Sequence, residues 1–262
     1  MSNEIVSLPA VILAGGLGTR LREETEFRPK PLVEIGGKPI LWHIMKTLGI
    51  QGIEDFTICL GYKSDAIKDY FLNYQERMND VTVSLGENRM VKHHGSHDEN
   101  WNVTLAQTGA LTNTGGRVKA IEKYVSGRRF LCTYGDGVAD IDVQALLDFH
   151  MSHGKIATVT TYRPMSRFGA LDIENDGKVS SFSEKPQSEG WVNAGFFIFE
   201  PEIFSYLEQN SVLETSPLQL LAHEGQLQAY RHNGFWQPMD TYRETTMLNE
   251  MWDQGSAPWK IW

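Results

Sequence analysis

The stretch Ala10-Val11-Ile12-Leu13-Ala14-Gly15-Gly16-Leu17-Gly18-Thr19-Arg20 decides the fold class of this chain. A short run of consecutive apolar residues is typical of a buried strand, and the glycines after it predict a tight loop followed by a helix. Because glycine has no side chain, the backbone N–H groups of such a loop can closely approach a polyphosphate. The stretch therefore predicts a strand, a phosphate-binding loop and a helix, in that order.

Two better-known phosphate-binding motifs do not fit these residues. A dinucleotide-binding fingerprint requires glycine three positions after Gly18, where the chain has Leu21. A P-loop requires a hydroxyl residue after Gly37-Lys38, where the chain has Pro39. From the residues alone, a glycine-rich turn with solvent-facing basic side chains remains an open alternative.

The pattern of the first strand repeats along the chain. Short apolar runs predict further strands at residues 56–60, 81–85, 130–134, 157–162 and 191–199. Apolar residues at helical spacing separate several of these runs, beginning after Pro39. A strand–helix repeat predicts an α/β fold with a Rossmann-like, mostly parallel sheet flanked by helices. Asn175-Asp176-Gly177, between two alternating segments, predicts a β-hairpin.

Length and composition predict one globular domain over residues 1–262, since 262 residues lie near the upper limit for one core. The polar segment 88–118 interrupts the repeat and is predicted to be a projecting, β-containing insertion. The chain carries 24 Lys+Arg against 33 Asp+Glu, a formal net charge of −9, which disfavours nucleic acid or an anionic membrane as a partner. Without a membrane-spanning run or a signal-peptide pattern, we expect a cytoplasmic protein.

Two carboxylates stand where a metal could be held. Asp136 follows the predicted strand 130–134 directly and has a glycine on each side. An acidic residue at the carboxyl end of a strand is well placed to hold a cation beside a ligand in the sheet crevice. Asp240 precedes the last predicted helix. The alternatives are a tight Asp-Gly turn for Asp136 and a helix N-cap for Asp240.

A second basic motif, Ser183-Glu184-Lys185-Pro186, is followed by Asn193-Ala194-Gly195. The proline restricts the backbone after Lys185 and so limits the positions that its ammonium can reach. Asn193, next to small residues, could hydrogen-bond a sugar hydroxyl. The alternative is a solvated Glu–Lys pair on the edge of a hairpin.

In this order, these motifs resemble those of the sugar nucleotidyltransferases, which make nucleotide-sugars from a nucleoside triphosphate and a sugar 1-phosphate. The resemblance covers essentially the whole chain from Ala10. It includes Pro29-Lys30-Pro31, Thr114-Gly115-Gly116-Arg117 and Phe235-Trp236-Gln237-Pro238-Met239-Asp240. It is greatest for the branch that joins CTP to glucose 1-phosphate, for use in deoxysugar and surface polysaccharide synthesis.

The resemblance implies a role for each motif. Residues implied to bind CTP are Leu13, Ala14, Gly15, Gly16, Gly18, Thr19, Arg20, Lys30, Thr112, Arg117 and Gly135. Those implied to act on the reacting phosphates are Arg20, Lys30 and Asp136, with Mg²⁺ bound by Asp136 and Asp240. The sugar 1-phosphate would be bound within residues 160–240, by Glu184, Lys185 and Asn193.

Two readings stay open beside this one. The same chemistry could use UTP, dTTP or GTP, or another sugar 1-phosphate, because small changes in a pocket set the choice of substrate. A non-catalytic nucleotide-sugar sensor could share the fold, although it could lose several of the charged residues that this chain has. The polar insertion and the tryptophan-rich C-terminus also lead us to expect a homo-oligomer.

Overall fold

The computed structural model describes residues 8–19, 21–86, 90–95, 99–125, 127–166, 168–184, 186–188 and 190–262, without the side chains of residues 22 and 23. Its strands are β1 (Ala10–Leu13), β2 (Glu34–Ile35), β3 (Lys38–Pro39), β4 (Asp55–Leu60), β5 (Asp80–Ser84), β6 (Met90–His94), β7 (Asn102–Gln107), β8 (Phe130–Tyr134), β9 (Gly137–Ala139), β10 (Ala157–Tyr162), β11 (Ala170–Ile173), β12 (Val179–Ser183), β13 (Val192–Phe199), β14 (Leu227–Arg231) and β15 (Trp236–Pro238). Its α-helices are α1 (Arg22–Thr25), α2 (Ile40–Gly49), α3 (Ser64–Leu72), α4 (Tyr74–Met78), α5 (Thr114–Ala120), α6 (Glu122–Val125), α7 (Val143–His153), α8 (Ser216–His223) and α9 (Tyr242–Asp253), with 3₁₀ helices at Lys30–Leu32 and Pro201–Tyr206.

A seven-stranded sheet with the strand order β14-β10-β13-β8-β1-β4-β7 forms the centre of the fold. β1 pairs in parallel with β4 and β8, β4 with β7, and β10 with β14. β13 is antiparallel to both of its neighbours, β8 and β10. The predicted fold class, a mostly parallel sheet flanked by helices, is therefore confirmed.

The prediction that the whole segment 88–118 projects from the domain is wrong. Within this segment, β6 pairs with β5 in a largely exposed hairpin that is separate from the main sheet. The predicted strand at 81–85 thus pairs in this hairpin and not in the central sheet. β7 is the edge strand of that sheet, and α5 is buried at residues 115–118. An edge strand needs fewer apolar residues, which accounts for Asn102, Thr104 and Gln107 in β7.

Residues 160–240 likewise contribute to the central sheet. β13 and β14 lie in this range and pair with β10. The β11–β12 hairpin forms a separate two-stranded sheet around the predicted Asn175-Asp176-Gly177 turn, and β15 pairs with β9 in another.

Two apolar layers cover the faces of the sheet. Alternate side chains of β1 enter opposite layers: Ile12 packs in the layer with α2 and α7, and Val11 in the layer with α5. The two cysteines, Cys59 and Cys132, are buried free thiols. Burial raises the pKa of the Cys59 thiol to about 12. None of the described helices combines the length and hydropathy required to cross a bilayer.

His43 on α2 sits fully buried among tryptophans of the chain's C-terminal end. Its Nε2 donates to the Ile35 carbonyl at 2.8 Å, and its Nδ1 accepts from the Trp259 indole at 3.3 Å. The Trp252 ring lies edge-on to the imidazole, with the centroids 4.7 Å apart. Since both ring nitrogens are used by the neutral form, burial lowers the pKa of His43 to about 4.

We expect this histidine to make the protein less stable in mild acid. Its pKa is below its ordinary value only in the folded state, so the unfolded chain takes up a proton first as the pH falls from about 6.5 towards 4. The free energy of unfolding should fall by about 2 kcal/mol between pH 7.5 and pH 5 through this group. Urea titrations of wild type and His43→Gln at both pH values measure it. Equal pH dependence in the two proteins would contradict it.

Candidate active site

A cleft of about 410 Å³ opens where β1 and β8 end in the central sheet. The residues that line it are Leu13, Ala14, Gly15, Gly16, Gly18, Thr19, Lys30, Pro31, Thr112, Asn113, Thr114, Arg117, Tyr134, Gly135, Asp136, Val212 and Glu214. Because parallel strands present their carboxyl ends to one edge, the glycine-rich loop and the Gly135-Asp136 turn meet there. The Gly135 N–H donates to the Leu13 carbonyl at 3.0 Å and joins the two strand ends.

A buried lysine bridges the two carboxylates that were predicted to bind metal. Lys30 Nζ lies 2.6 Å from Asp136 Oδ2 and 2.5 Å from Asp240 Oδ1. Only 8% of Lys30 is exposed. Charge-assisted hydrogen bonds of this kind are strong where water is largely excluded. One ammonium and two carboxylates, from three distant parts of the chain, therefore form one compact cluster.

Two prolines fix the position of Lys30. Pro29 has an extended backbone and precedes the 3₁₀ helix that Lys30 begins, and Pro31 follows within it. Pro31 also lies beside the turn after β8: a Cβ on Gly135 would lie 3.4 Å from the Pro31 ring, an ordinary packing distance. The restricted backbone thus holds the lysine against the end of β8.

A short antiparallel ladder brings the two aspartates together. β9 pairs with β15, so that Gly137 lies opposite Pro238. The Met239 N–H donates to the Asp136 carbonyl at 2.8 Å. Asp240 is the next residue, which places its carboxylate beside that of Asp136.

Asp240 is not the N-cap of α9, the alternative considered from sequence. Thr241 is the cap and forms a capping box with Glu244. The Glu244 carboxylate also accepts from the backbone N–H of Asp240 at 2.8 Å. The side chain of Asp240 contacts Lys30 instead.

Close approaches require glycine at two positions of the loop, Gly15 and Gly18. Gly18 has a φ of +64°, and a Cβ there would lie 2.7 Å from the Thr25 methyl group. A Cβ on Gly15 would lie 2.1 Å from the Arg117 guanidinium. Any larger residue at either position would displace the loop.

Arg117 holds this loop through backbone carbonyls. Its Nη2 donates to the Gly15 carbonyl at 2.9 Å, and its Nη1 donates to the carbonyls of Leu60 and Gly109 at 3.0 and 2.8 Å. Burial lowers the pKa of the guanidinium. The resemblance implied a contact between Arg117 and CTP. In the structure Arg117 lines the cleft and ties its glycine loop to the ends of β4 and β7.

The structure brings together most of the residues implied to bind nucleotide. Those lining the cleft are Leu13, Ala14, Gly15, Gly16, Gly18, Thr19, Lys30, Thr112, Arg117 and Gly135. Arg20 and Lys185, both predicted site residues, lie outside the described residues. Glu184 is exposed and does not line the cleft, whereas Asn193 reaches its wall by donating to the Tyr134 hydroxyl at 3.4 Å.

The polar residues of the cleft that sequence reasoning missed include Tyr134 and Glu214. Tyr134 was read only as the end of a strand, and Glu214 belongs to no recognised motif. The Glu214 carboxylate accepts hydrogen bonds from the hydroxyls of Tyr134 and Thr114. No spacing in the sequence indicates that a residue 80 positions after Tyr134 contacts it.

The donor set of the cluster fits a divalent cation that also binds substrate. In the described part of the chain, no group of three or more His, Cys, Asp and Glu side chains could hold a metal ion by itself. Mg²⁺ typically binds one or two carboxylates and completes its shell with water and substrate phosphates. Asp136 and Asp240 supply two adjacent carboxylates of this type.

A glycine-rich loop at the carboxyl ends of parallel strands, lining a cleft, is typical of proteins that bind nucleotides. The family model described as nucleotidyl transferase matches residues 9–241, so the chain belongs to the nucleotidyl transferase family. It is 54% identical over 258 residues to the glucose-1-phosphate cytidylyltransferase of Salmonella typhi, covering 97% of this chain and 100% of that protein.

More distant relatives differ in the nucleotide that they use. The mannose-1-phosphate guanylyltransferase catalytic subunit beta of Danio rerio is 31% identical over 244 residues, which are 89% of this chain and 62% of that protein. The crystal structure of HddC from Yersinia pseudotuberculosis superposes with a TM-score of 0.68 at 26% identity, covering 94% of this chain and 99% of that one. The relatives of this chain therefore include proteins named for different nucleotides and sugars.

Proposed function

We propose that this protein is a glucose-1-phosphate cytidylyltransferase, which converts CTP and α-D-glucose 1-phosphate into CDP-glucose and pyrophosphate. The observation that carries the proposal is the contact of Lys30 with both Asp136 and Asp240, beside the glycine-rich loop. The 54% identity with the enzyme of Salmonella typhi supports the choice of CTP and glucose 1-phosphate.

The reaction needs charge stabilisation more than acid–base catalysis. A phosphate oxygen of the sugar 1-phosphate attacks the α-phosphorus of CTP, and the bond from that phosphorus to the pyrophosphate oxygen breaks in line. The attacking oxygen is already ionised, so no protein base is required. Two like charges about 4 Å apart cost about 4 kcal/mol at an effective dielectric constant of about 20. Lys30 would offset this repulsion at the α-phosphate and at the developing transition-state charge.

The remaining charged residues complete the proposal. Asp136 and Asp240 would hold Mg²⁺, which when bound supplies charge neutralisation to the triphosphate. Arg20 would bind the phosphates of CTP from the glycine-rich loop. Lys185 would bind the phosphate of the sugar 1-phosphate, while Glu184 and Asn193 would contact its hydroxyls. Arg117 would act on the nucleotide by fixing the loop that cradles it.

The proposal extends to the location, assembly and metabolic role of the enzyme. We infer a cytoplasmic homo-oligomer whose product serves deoxysugar and surface polysaccharide synthesis. Exposed apolar residues on the β5–β6 hairpin, Val81, Val83 and Met90, support contacts between subunits.

Pyrophosphate release tests the proposed reaction. CTP, UTP, dTTP and GTP are each assayed with glucose 1-phosphate and Mg²⁺, and CTP is also assayed with mannose 1-phosphate. We expect CTP with glucose 1-phosphate to have the highest kcat/KM, by more than about tenfold, because each base-edge hydrogen bond contributes to selectivity. A preference for another triphosphate or sugar 1-phosphate would contradict the assigned substrates but not the proposed nucleotidyl transfer. Absence of turnover with every pair would favour the nucleotide-sugar sensor.

A further inference from the structure

Glu214 links two separate walls of the cleft. It belongs to the segment 207–215, which connects the 3₁₀ helix Pro201–Tyr206 to α8. Its Oε2 accepts from the Thr114 hydroxyl at 2.6 Å, and its Oε1 accepts from the Tyr134 hydroxyl. Thr114 is the first residue of α5, and Tyr134 is the last residue of β8. One carboxylate therefore joins a helix start to a strand end.

The backbone just before Glu214 packs tightly against α5. The Gly116 N–H donates to the Ser211 carbonyl at 3.0 Å, and the Leu213 N–H donates to the Thr114 hydroxyl at 2.9 Å. A side chain on Gly116 would lie 2.1 Å from the Gln209 carbonyl. Since α5 also carries the arginine that holds the glycine loop, the segment with Glu214 supports the nucleotide side of the cleft.

Tyr134 extends this connection towards the sugar side. Its hydroxyl accepts from Asn193 Nδ2 at 3.4 Å. Its ring occupies the space beside Gly195, where a Cβ would lie 2.3 Å from Tyr134 Cδ2. Burial and the Glu214 carboxylate raise the pKa of Tyr134 well above its usual range, so the hydroxyl keeps its proton and donates it to Glu214. The chain of contacts runs Asn193, Tyr134, Glu214, Thr114.

A carboxylate in a cleft for a triphosphate is electrostatically unfavourable, because like charges in a partly desolvated site repel. Both oxygens of Glu214 are nevertheless fixed by hydroxyl donors and line this cleft. A neutral residue would avoid the repulsion but could not accept two such bonds with its two oxygens. Glu214 is therefore suited to holding the start of α5 and the end of β8 at a fixed separation.

We propose that Glu214 and Tyr134 are positioning residues that set the glucose 1-phosphate subsite, at Asn193, relative to the nucleotide subsite, at α5. This inference rests on the proposed function. In-line transfer depends strongly on the alignment of its two reacting phosphates, so loss of the connection should affect the sugar phosphate more than the nucleotide. Neither residue is assigned a contact with reacting atoms.

Steady-state kinetics of Tyr134→Phe, Glu214→Gln and the double variant test the proposal. Tyr134→Phe keeps the ring and the bond between Thr114 and Glu214. It removes the hydroxyl that bonds Glu214 and Asn193. We expect the loss of these bonds to raise the KM for glucose 1-phosphate about tenfold, while the Kd for CTP in calorimetry changes less than about twofold. Glu214→Gln should raise both constants. In the double variant, the KM for glucose 1-phosphate should be no higher than in Glu214→Gln.

The controls separate positioning from a general loss of structure. Glu208→Gln removes an exposed carboxylate from the same segment and should leave all constants unchanged. The inference would be overturned if the two substitutions had additive effects on the KM for glucose 1-phosphate, or if Tyr134→Phe changed the constants for both substrates equally. Turnover by the wild-type protein would still support the proposed function in that case. Wild-type protein that turns over no pair of substrates would overturn both.

Discussion

Asp136→Asn is expected to abolish nucleotidyl transfer, lowering kcat/KM by more than about a thousandfold. The substitution keeps the size of the side chain but removes a charge that contacts Lys30 at 2.6 Å and that we assign to Mg²⁺ binding. The substitution should lower activity in two ways. It weakens binding of the divalent cation, and it displaces the Lys30 ammonium. The measurement is pyrophosphate release as a function of Mg²⁺ concentration.

A matched variant makes this result specific. Asp148→Asn removes a carboxylate from α7, where its partner is Gln144 and not a cation. It should have wild-type kinetics. If Asp136→Asn has the Mg²⁺ dependence of the wild type, Asp136 does not belong to the cation site.

Lys30→Ala should lower kcat by about a hundredfold or more, the usual effect of removing one charged partner of a transition state. Lys30 is the described cation that contacts both Asp136 and Asp240. Without it, the two carboxylates lose the charge that neutralises them, and the α-phosphate loses its proposed partner. Rapid-quench or steady-state kinetics at saturating Mg²⁺ measure the effect.

Lys46→Ala is the control for this substitution. Lys46 forms an ion pair with Glu99 at 2.8 Å on a different part of the surface, so its loss removes a paired lysine without touching the cleft. Its turnover should be unchanged. Wild-type turnover in Lys30→Ala would show that the role assigned to Lys30 is incorrect.

The sequence predicts the parallel half of the fold well, because a buried strand, a glycine-rich loop and a helix leave a distinctive pattern. Strand direction is less accessible: the apolar run of β13 reads the same whether it is parallel or antiparallel, and the structure makes it antiparallel to both neighbours. The edge strand β7 was assigned to the insertion because the segment around it is polar. Only its pairing with β4 reveals its position.

The candidate site likewise contains some residues that the sequence predicts and others that it does not. Residues close to one another in sequence, such as Gly15, Gly18 and Lys30, belong to motifs that can be recognised. Contacts that depend on the tertiary fold leave no such signal. The five hydrogen bonds of the Arg117 guanidinium and the link from Glu214 to Tyr134 are examples.

The account depends most on one claim, that CTP and a divalent cation bind together at the Lys30 cluster. A crystal structure of the wild-type protein soaked with CTP and Mg²⁺ tests it directly. We predict the α-phosphate in contact with Lys30 Nζ and the cation bound by Asp136 and Asp240. A nucleotide bound outside the cleft, or a cation held away from both aspartates, would contradict the claim.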